Sequence, residues 1–283
     1  MEYFTKDTRS YEGLLQGDLF RVNHRNESPF LACEEYALLI TADCDMANAS
    51  KNVSYLTFLP IISTTNYLES ICIPDFIEKL IKDIAKELCA YIKKQNIYET
   101  YNCDQMEEQQ MIQWIKESSI EDVIVSLSLD KQDRKIEHYL DLEREFKNGC
   151  SIYNYLKIKE LKNIKSKSIF GELKSSISNA KSEYYQLPII DSMYDSSGII
   201  KLRMIRPMHK SYIFTNEVDA RQSQYSNSTN LVRIGRCSDY LRYSISQNFA
   251  SLFSRIGMPS NFEEDINEST ALFLEQLESN KND

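Results

Sequence analysis

Apolar and polar positions change period twice along this chain, from strand-like to helix-like and back. Between Gly17 and Thr64, apolar runs rich in Leu, Ile, Val, Phe and Tyr alternate with Gly/Asn/Asp/Ser turns. This predicts strands over Asp18–Asn23, Tyr36–Thr41 and Val53–Ile62. The middle run is apolar on both faces, so it belongs in the centre of a sheet. From Pro74 the apolar residues Ile77, Leu80, Ile81, Ile84, Leu88, Tyr91 and Ile92 recur at helical spacing, with Asp75 as the expected N-cap. Further helices are predicted over Gln105–Glu117, Asp133–Lys147 with Asn148 and Gly149 as its stop, Ile152–Lys162 and Ile169–Ser182. Val123–Leu127 fits a strand or a helix.

Strand signals return at Tyr184–Ile190, Gly198–Arg206, Ser211–Thr215 and Asn230–Ile234, with Pro188 and Pro207 at edges or ends. Alternation over Ile200–Met204 places Ile200, Leu202 and Met204 inward and Lys201 and Arg203 together on an exposed face. Ser238–Ile256 reads as a helix, with Leu241, Ile245, Phe249, Leu252 and Ile256 on one stripe and Gly257 and Pro259 beyond it. A last acidic helix is predicted over Phe262–Leu277. The helical block carries no Gly-rich linker at either end, so it is expected to pack on the strands rather than swing freely.

The order Gly-Asp-Leu-Phe at 17–20, an apolar strand over 36–41 and a strand closing on Pro60-Ile61 resembles the core of the MazF/PemK family. The resemblance covers about the first quarter of the chain. It implies an α+β fold: a small SH3-like barrel interrupted by a helical insertion and closed by C-terminal helices. The divisions are 1–74 (first half of the barrel), 75–183 (insertion), 184–236 (second half) and 237–283 (C-terminal helices). The family's ribonuclease site uses an Arg-Pro pair at the start of the middle strand and a threonine after the proline of the third. Here those places hold Glu35-Tyr36 and Ile62, with Ser63 and Thr64 next in line as substitute hydroxyls. A barrel without the charge-stabilising arginine is expected to have lost most phosphoryl transfer.

The outline of the whole chain is also similar to bacterial proteins encoded beside antiviral defence or toxin-antitoxin genes. That similarity implies a degenerate subunit working by binding other subunits of a defence operon, or RNA or DNA. A MazF-type endoribonuclease toxin is the alternative within the family.

Composition narrows the setting. The 283 residues are 42% hydrophobic, enough for a sizeable core, and no apolar run approaches membrane-spanning length. Seven cysteines without a Cys-x-x-Cys pair suit free thiols in a reducing cytoplasm better than disulfides or a structural zinc. The histidines His24, His138 and His209 have no metal-binding spacing, so neither metal nor cofactor is expected.

The net charge of -9 hides a segregation: residues 199–255 hold nine Lys/Arg against three Asp/Glu. Seven of the nine are arginines (Arg203, Arg206, Arg221, Arg233, Arg236, Arg242, Arg255), interleaved with Tyr212, Tyr225, Tyr240 and Tyr243. Arginine beside tyrosine suits phosphate tracking and base stacking, so Lys201, Arg203, Arg206, Arg233, Arg236, Tyr240 and Arg242 are the expected nucleic-acid or partner surface. The competing reading is that acidic segments elsewhere neutralise them within the fold. The remaining candidate is Asp43-Cys44-Asp45 at the end of the central strand. It is either a pair of turn aspartates around a small thiol, or the divalent-ion or nucleophile site of a metal-assisted hydrolase.

Overall fold

The computed structural model describes residues 3–5, 13–25, 27–48, 53–95, 97, 107–180, 182–188, 197–253 and 266–272. In chain order the elements are β1 (Phe4–Thr5), β2 (Asp18–Asn23), β3 (Tyr36–Leu39), α1 (Asp43–Ala47), β4 (Tyr55–Ser63) and α2 (Thr64–Tyr67). A π turn over Leu68–Cys72 leads into α3 (Ile73–Lys94). Then come α4 (Glu108–Glu117), α5 (Ile120–Ser126), α6 (Arg134–Lys147), α7 (Ile152–Leu161) and α8 (Ser166–Ser178). The chain closes with β5 (Tyr184–Gln186), β6 (Gly198–Lys201), β7 (Arg206–His209), β8 (Ile213–Phe214), α9 (Glu217–Gln222), β9 (Asn230–Cys237) and α10 (Asp239–Phe253).

The fold is mixed α+β, and all the strands join one curled, mostly antiparallel sheet. Its spine runs β1-β9-β2-β3-β4-β6-β5, with β7 on β4 and β8 parallel to β9. The early strands and the late strands therefore share one sheet, with the helices inserted between β4 and β5. β3 is central and wholly buried, as its two-faced apolar pattern predicts. Along β4 the partner changes from β7 (Phe58↔Arg206) to β6 (Ile61↔Ile200), and Pro60 falls at that fork, where its missing N–H breaks no ladder.

The period-two alternation sorts side chains onto two cores. Leu19, Leu38, Leu59, Ile61 and Ile200 pack under Leu241, Ile245 and Leu252 of α10. Phe20, Ala37, Leu39, Leu56, Phe58, Met208 and Leu231 form the core on the other face of the sheet. Truncating Ile245, which is 1% exposed, to alanine is expected to cost about 2–5 kcal/mol in urea unfolding, because it leaves a cavity between helix and sheet.

Several elements depart from the predicted bounds. Thr41 leaves β3 because its hydroxyl, rather than a backbone carbonyl, accepts the Thr57 N–H (2.7 Å). The helical insertion opens at Thr64, not at Pro74: Ser63 is the N-cap, accepting from Asn66 N–H (3.0 Å), and Asp75 lies inside a continuing helix. Val123–Leu127 resolves as helix. Ser119 caps α5, and the buried Glu143 carboxylate accepts the N–H groups of Ile120 (2.7 Å) and Glu121 (3.1 Å), satisfying the donors that open a helix.

The strand predicted over Gly198–Arg206 is two strands, β6 and β7, joined by a turn. Alternation stops at Lys201, so Lys201 is buried while Arg203 and Met204 are exposed. Gly149 closes α6 at φ +108, as expected of a left-handed stop. Residues 105–106, 189–190 and 254–256, with Arg255, and most of the predicted last helix lie outside the described residues; 266–272 is helical.

The insertion has its own core, built on Leu80, Ile84, Leu88, Met111, Ile115, Val123, Ile136 and Ile158. It is tied to the sheet through Ile62, Tyr67 and Ile199, with Ile71, Cys72 and Ile177 against them, so it packs on the strands as the absence of a linker predicts.

Candidate functional site

Gly17 makes the turn into β2 at φ +90, and this turn delivers Gln16 and Asp18 to the end of the sheet where β3 leaves and α10 begins. Asp18 pairs across the ladder with Arg236. Its carboxylate accepts from Arg236 Nε at 2.5 Å and Nη2 at 3.3 Å, from Arg233 Nη1 at 3.2 Å and from Leu15 N–H at 3.0 Å. The Asp18 and Arg233 side chains are both 0% exposed. Both guanidiniums also donate to the Gly13 carbonyl, at 3.2 and 3.1 Å.

Beside this cluster lies Asp43. The Asp43-Cys44-Asp45 segment forms the first turn of α1, with both aspartates in that turn. Asp43 accepts from Gln16 N–H (2.6 Å) and Arg242 Nη1 (2.9 Å), and Arg242 also bonds Asp239 (3.0 Å) and lies over the Tyr243 ring (5.0 Å). Cys44 is exposed, its sulfur 3.9 Å from an Asp45 oxygen. A Cβ on Gly17 would come within 3.1 Å of the Arg242 side chain. Gly17→Ala therefore adds a left-handed penalty of about 1–2 kcal/mol to a displaced arginine, and a lowered melting temperature is the expected result.

A second buried cluster sits at the opposite end of β3. Glu34, 0% exposed, accepts from Lys201 Nζ (2.7 Å), Arg206 Nε and Nη2 (both 3.2 Å) and Leu31 N–H (3.0 Å). Burial raises its proton affinity, but the bonds from Arg206, Lys201 and Leu31 outweigh burial and hold the carboxyl below the ordinary range. His24 bonds the Glu34 carbonyl through Nε2 (3.1 Å) and Ser28 through Nδ1 (3.4 Å).

The structure brings the acidic segment and part of the arginine set together, but it does not assemble the hydroxyl candidates with either. Ser63 is at the Glu34 end of the sheet as a helix cap, and Thr64 bonds Ser197 Oγ (2.9 Å). Asp43 is at the other end, with both carboxylate oxygens engaged. Among the described residues no three His, Cys, Asp or Glu side chains gather as a metal site.

The basic segment is expected to present a cationic surface, but most of its cations are turned onto carboxylates. Lys201 and Arg206 go to Glu34, Arg233 and Arg236 to Asp18, and Arg242 to Asp43 and Asp239. Arg203 and Arg221 are exposed, each near one glutamate (Glu183 at 3.4 Å and Glu217 at 3.9 Å). The tyrosines divide too: Tyr212 and Tyr225 pack on each other at 4.6 Å, while Tyr240 and Tyr243 on α10 are 71% and 63% exposed.

Sequence reasoning missed Gln16 and Glu34. A loop holding Glu34-Glu35 does not say which carboxylate turns inward, and the lysine and arginine that bury Glu34 lie more than a hundred residues away. No protein-family model matches the chain, and neither a curated protein nor a solved structure matches it significantly. No helix among the described residues is long and apolar enough to cross a membrane.

Proposed function

We propose that this chain is a binding subunit rather than a self-sufficient enzyme: a degenerate MazF-like barrel that serves a cytoplasmic bacterial defence or toxin-antitoxin module by docking a protein partner. One observation carries the reading. The arginines that would track phosphates are bonded to internal carboxylates, whereas Tyr240 and Tyr243 stand exposed on α10 with the Arg242 guanidinium over the Tyr243 ring. Exposed tyrosines beside an immobilised arginine are the residue types that anchor protein interfaces. The hydroxyls of Ser63 and Thr64 are far from Asp43 along the sheet, which supports a barrel without the family's phosphoryl-transfer chemistry.

Two outcomes follow. Purified protein incubated with RNA leaves it intact; discrete fragments lost on changing Asp43, Ser63 or Thr64 would restore the endoribonuclease reading. Tagged protein carrying Tyr240→Ser with Tyr243→Ser keeps its melting temperature but no longer retains the partner that the wild type brings down from its own cells. Retention equal to wild type would remove α10 from the interface.

A further inference from the structure

Pro74 lies inside a helix that runs unbroken from Thr64 to Lys94. Its ring conflicts with the carbonyl four residues earlier, and the chain responds with the π turn over Leu68–Cys72, which widens the helix just ahead of the proline. That turn forms one wall of an open cleft of about 480 Å³ between helices of the insertion; α8 forms the other. Tyr67, Phe76, Tyr155 and Leu173 supply apolar and aromatic lining, and the Phe76 and Tyr155 rings meet edge to face at 4.9 Å.

The polar lining is built around Glu172. Its Oε2 accepts from the Tyr155 hydroxyl (3.1 Å) and from Lys159, which is 6% exposed and lies 4.5 Å over the Phe76 ring. No described group bonds Oε1, so a carboxylate oxygen is held in place with acceptor capacity to spare. Lys79 and Ser176 face the same space with donors. Asp75 and Glu172 offset Lys79 and Lys159, so the lining holds no excess of one sign that would call for a charged guest.

We propose that this cleft binds a neutral, planar heteroaromatic molecule with an N–H or amino edge, of the class of a purine nucleobase or nucleoside. The partly exposed Phe76 ring, held by Tyr155 behind it, packs against its plane, Glu172 Oε1 accepts from its N–H edge, and Lys79 or Ser176 donates to its ring carbonyl or nitrogen. The volume lies within the range of small-molecule sites, and the space between packed helices is one of the places where such sites form.

The test is calorimetric titration of the full chain with guanosine and adenosine, with ribose alone as the control. Saturable binding of either nucleoside is expected. It should weaken about tenfold or more in Glu172→Gln, the loss of one charge-assisted hydrogen bond. Ser176→Phe, which fills the cleft from α8 and leaves the Lys159 and Glu172 side chains in place, should abolish it at unchanged melting temperature, and decides the matter if Glu172→Gln fails to fold. Absence of saturation by both nucleosides at millimolar concentration, ribose binding as tightly as the nucleosides, or undiminished binding in Ser176→Phe would overturn the proposal.

Discussion

Asp18→Ala is expected to lower unfolding free energy by about 3–5 kcal/mol, the usual cost of removing one partner from a buried ion pair. The aspartate lies against two guanidiniums, and Arg233 has no access to water in the folded chain. Without the carboxylate the Arg233 charge stays buried without its counter-charge, and the partly exposed Arg236 loses the same counter-charge. The backbone loses an anchor as well, because Leu15 N–H donates to the same carboxylate. Arg203→Ala provides the comparison: its side chain is 64% exposed and its ion pair should contribute no more than about 1 kcal/mol. Urea unfolding of the two variants should therefore give clearly separated midpoints. Similar midpoints would mean that Asp18 and its arginines are not the buried scaffold described above.

Glu34→Gln is expected to be nearly as damaging, again about 3–5 kcal/mol, because the amide keeps the shape but leaves Lys201 and Arg206 without their counter-charge. A pH signature goes with it. The folded-state pKa of Glu34 is held below its unfolded value. Its contribution is therefore complete above the ordinary glutamate pKa of about 4.3 and is lost as pH falls from there through the depressed folded value. Wild-type stability should drop on acidification through that window more steeply than that of Glu34→Gln, which has no proton to take up there. Parallel curves would show that the fold does not shift the titration of this carboxyl, contrary to a carboxylate stabilised by Lys201 and Arg206.

How much of this was legible in the chain depended on the range of the interaction that decides each feature. Strand and helix placement follows from local period, so β2, β3, β4 and α10 lie close to where the apolar pattern puts them. The shared sheet of early and late strands was also readable, since a helical block between two sets of short strands has to be accommodated as an insertion. Local competition moved the boundaries. Thr41 ended a strand with its own hydroxyl, Ser63 outranked Asp75 as a cap, and Pro74 produced a π turn instead of a helix start.

Lys201 shows the limit most clearly. Its place in an alternating apolar-cationic run marks it as exposed, yet Glu34, distant in sequence, draws it into the interior. Charge segregation along the chain was legible, but its meaning was not. A basic segment and an acidic segment can form a surface for a partner, or they can neutralise each other across a sheet. Only the register between β2 and β9, which sets Asp18 beside Arg236, distinguishes the two.

The most direct test of that distinction is the salt and nuclease resistance of whatever tagged wild-type protein retains from native cells. A surface that tracks phosphates loses affinity steeply between roughly 50 and 200 mM salt and gives up its nucleic acid to nuclease. An interface anchored by Tyr240 and Tyr243, with the neighbouring arginines held by Asp18 and Asp43, predicts a protein partner retained in stoichiometric amount through both treatments. Retention that disappears with nuclease or over that salt range, and that weakens further in Arg203→Ala and Arg221→Ala, would contradict the account.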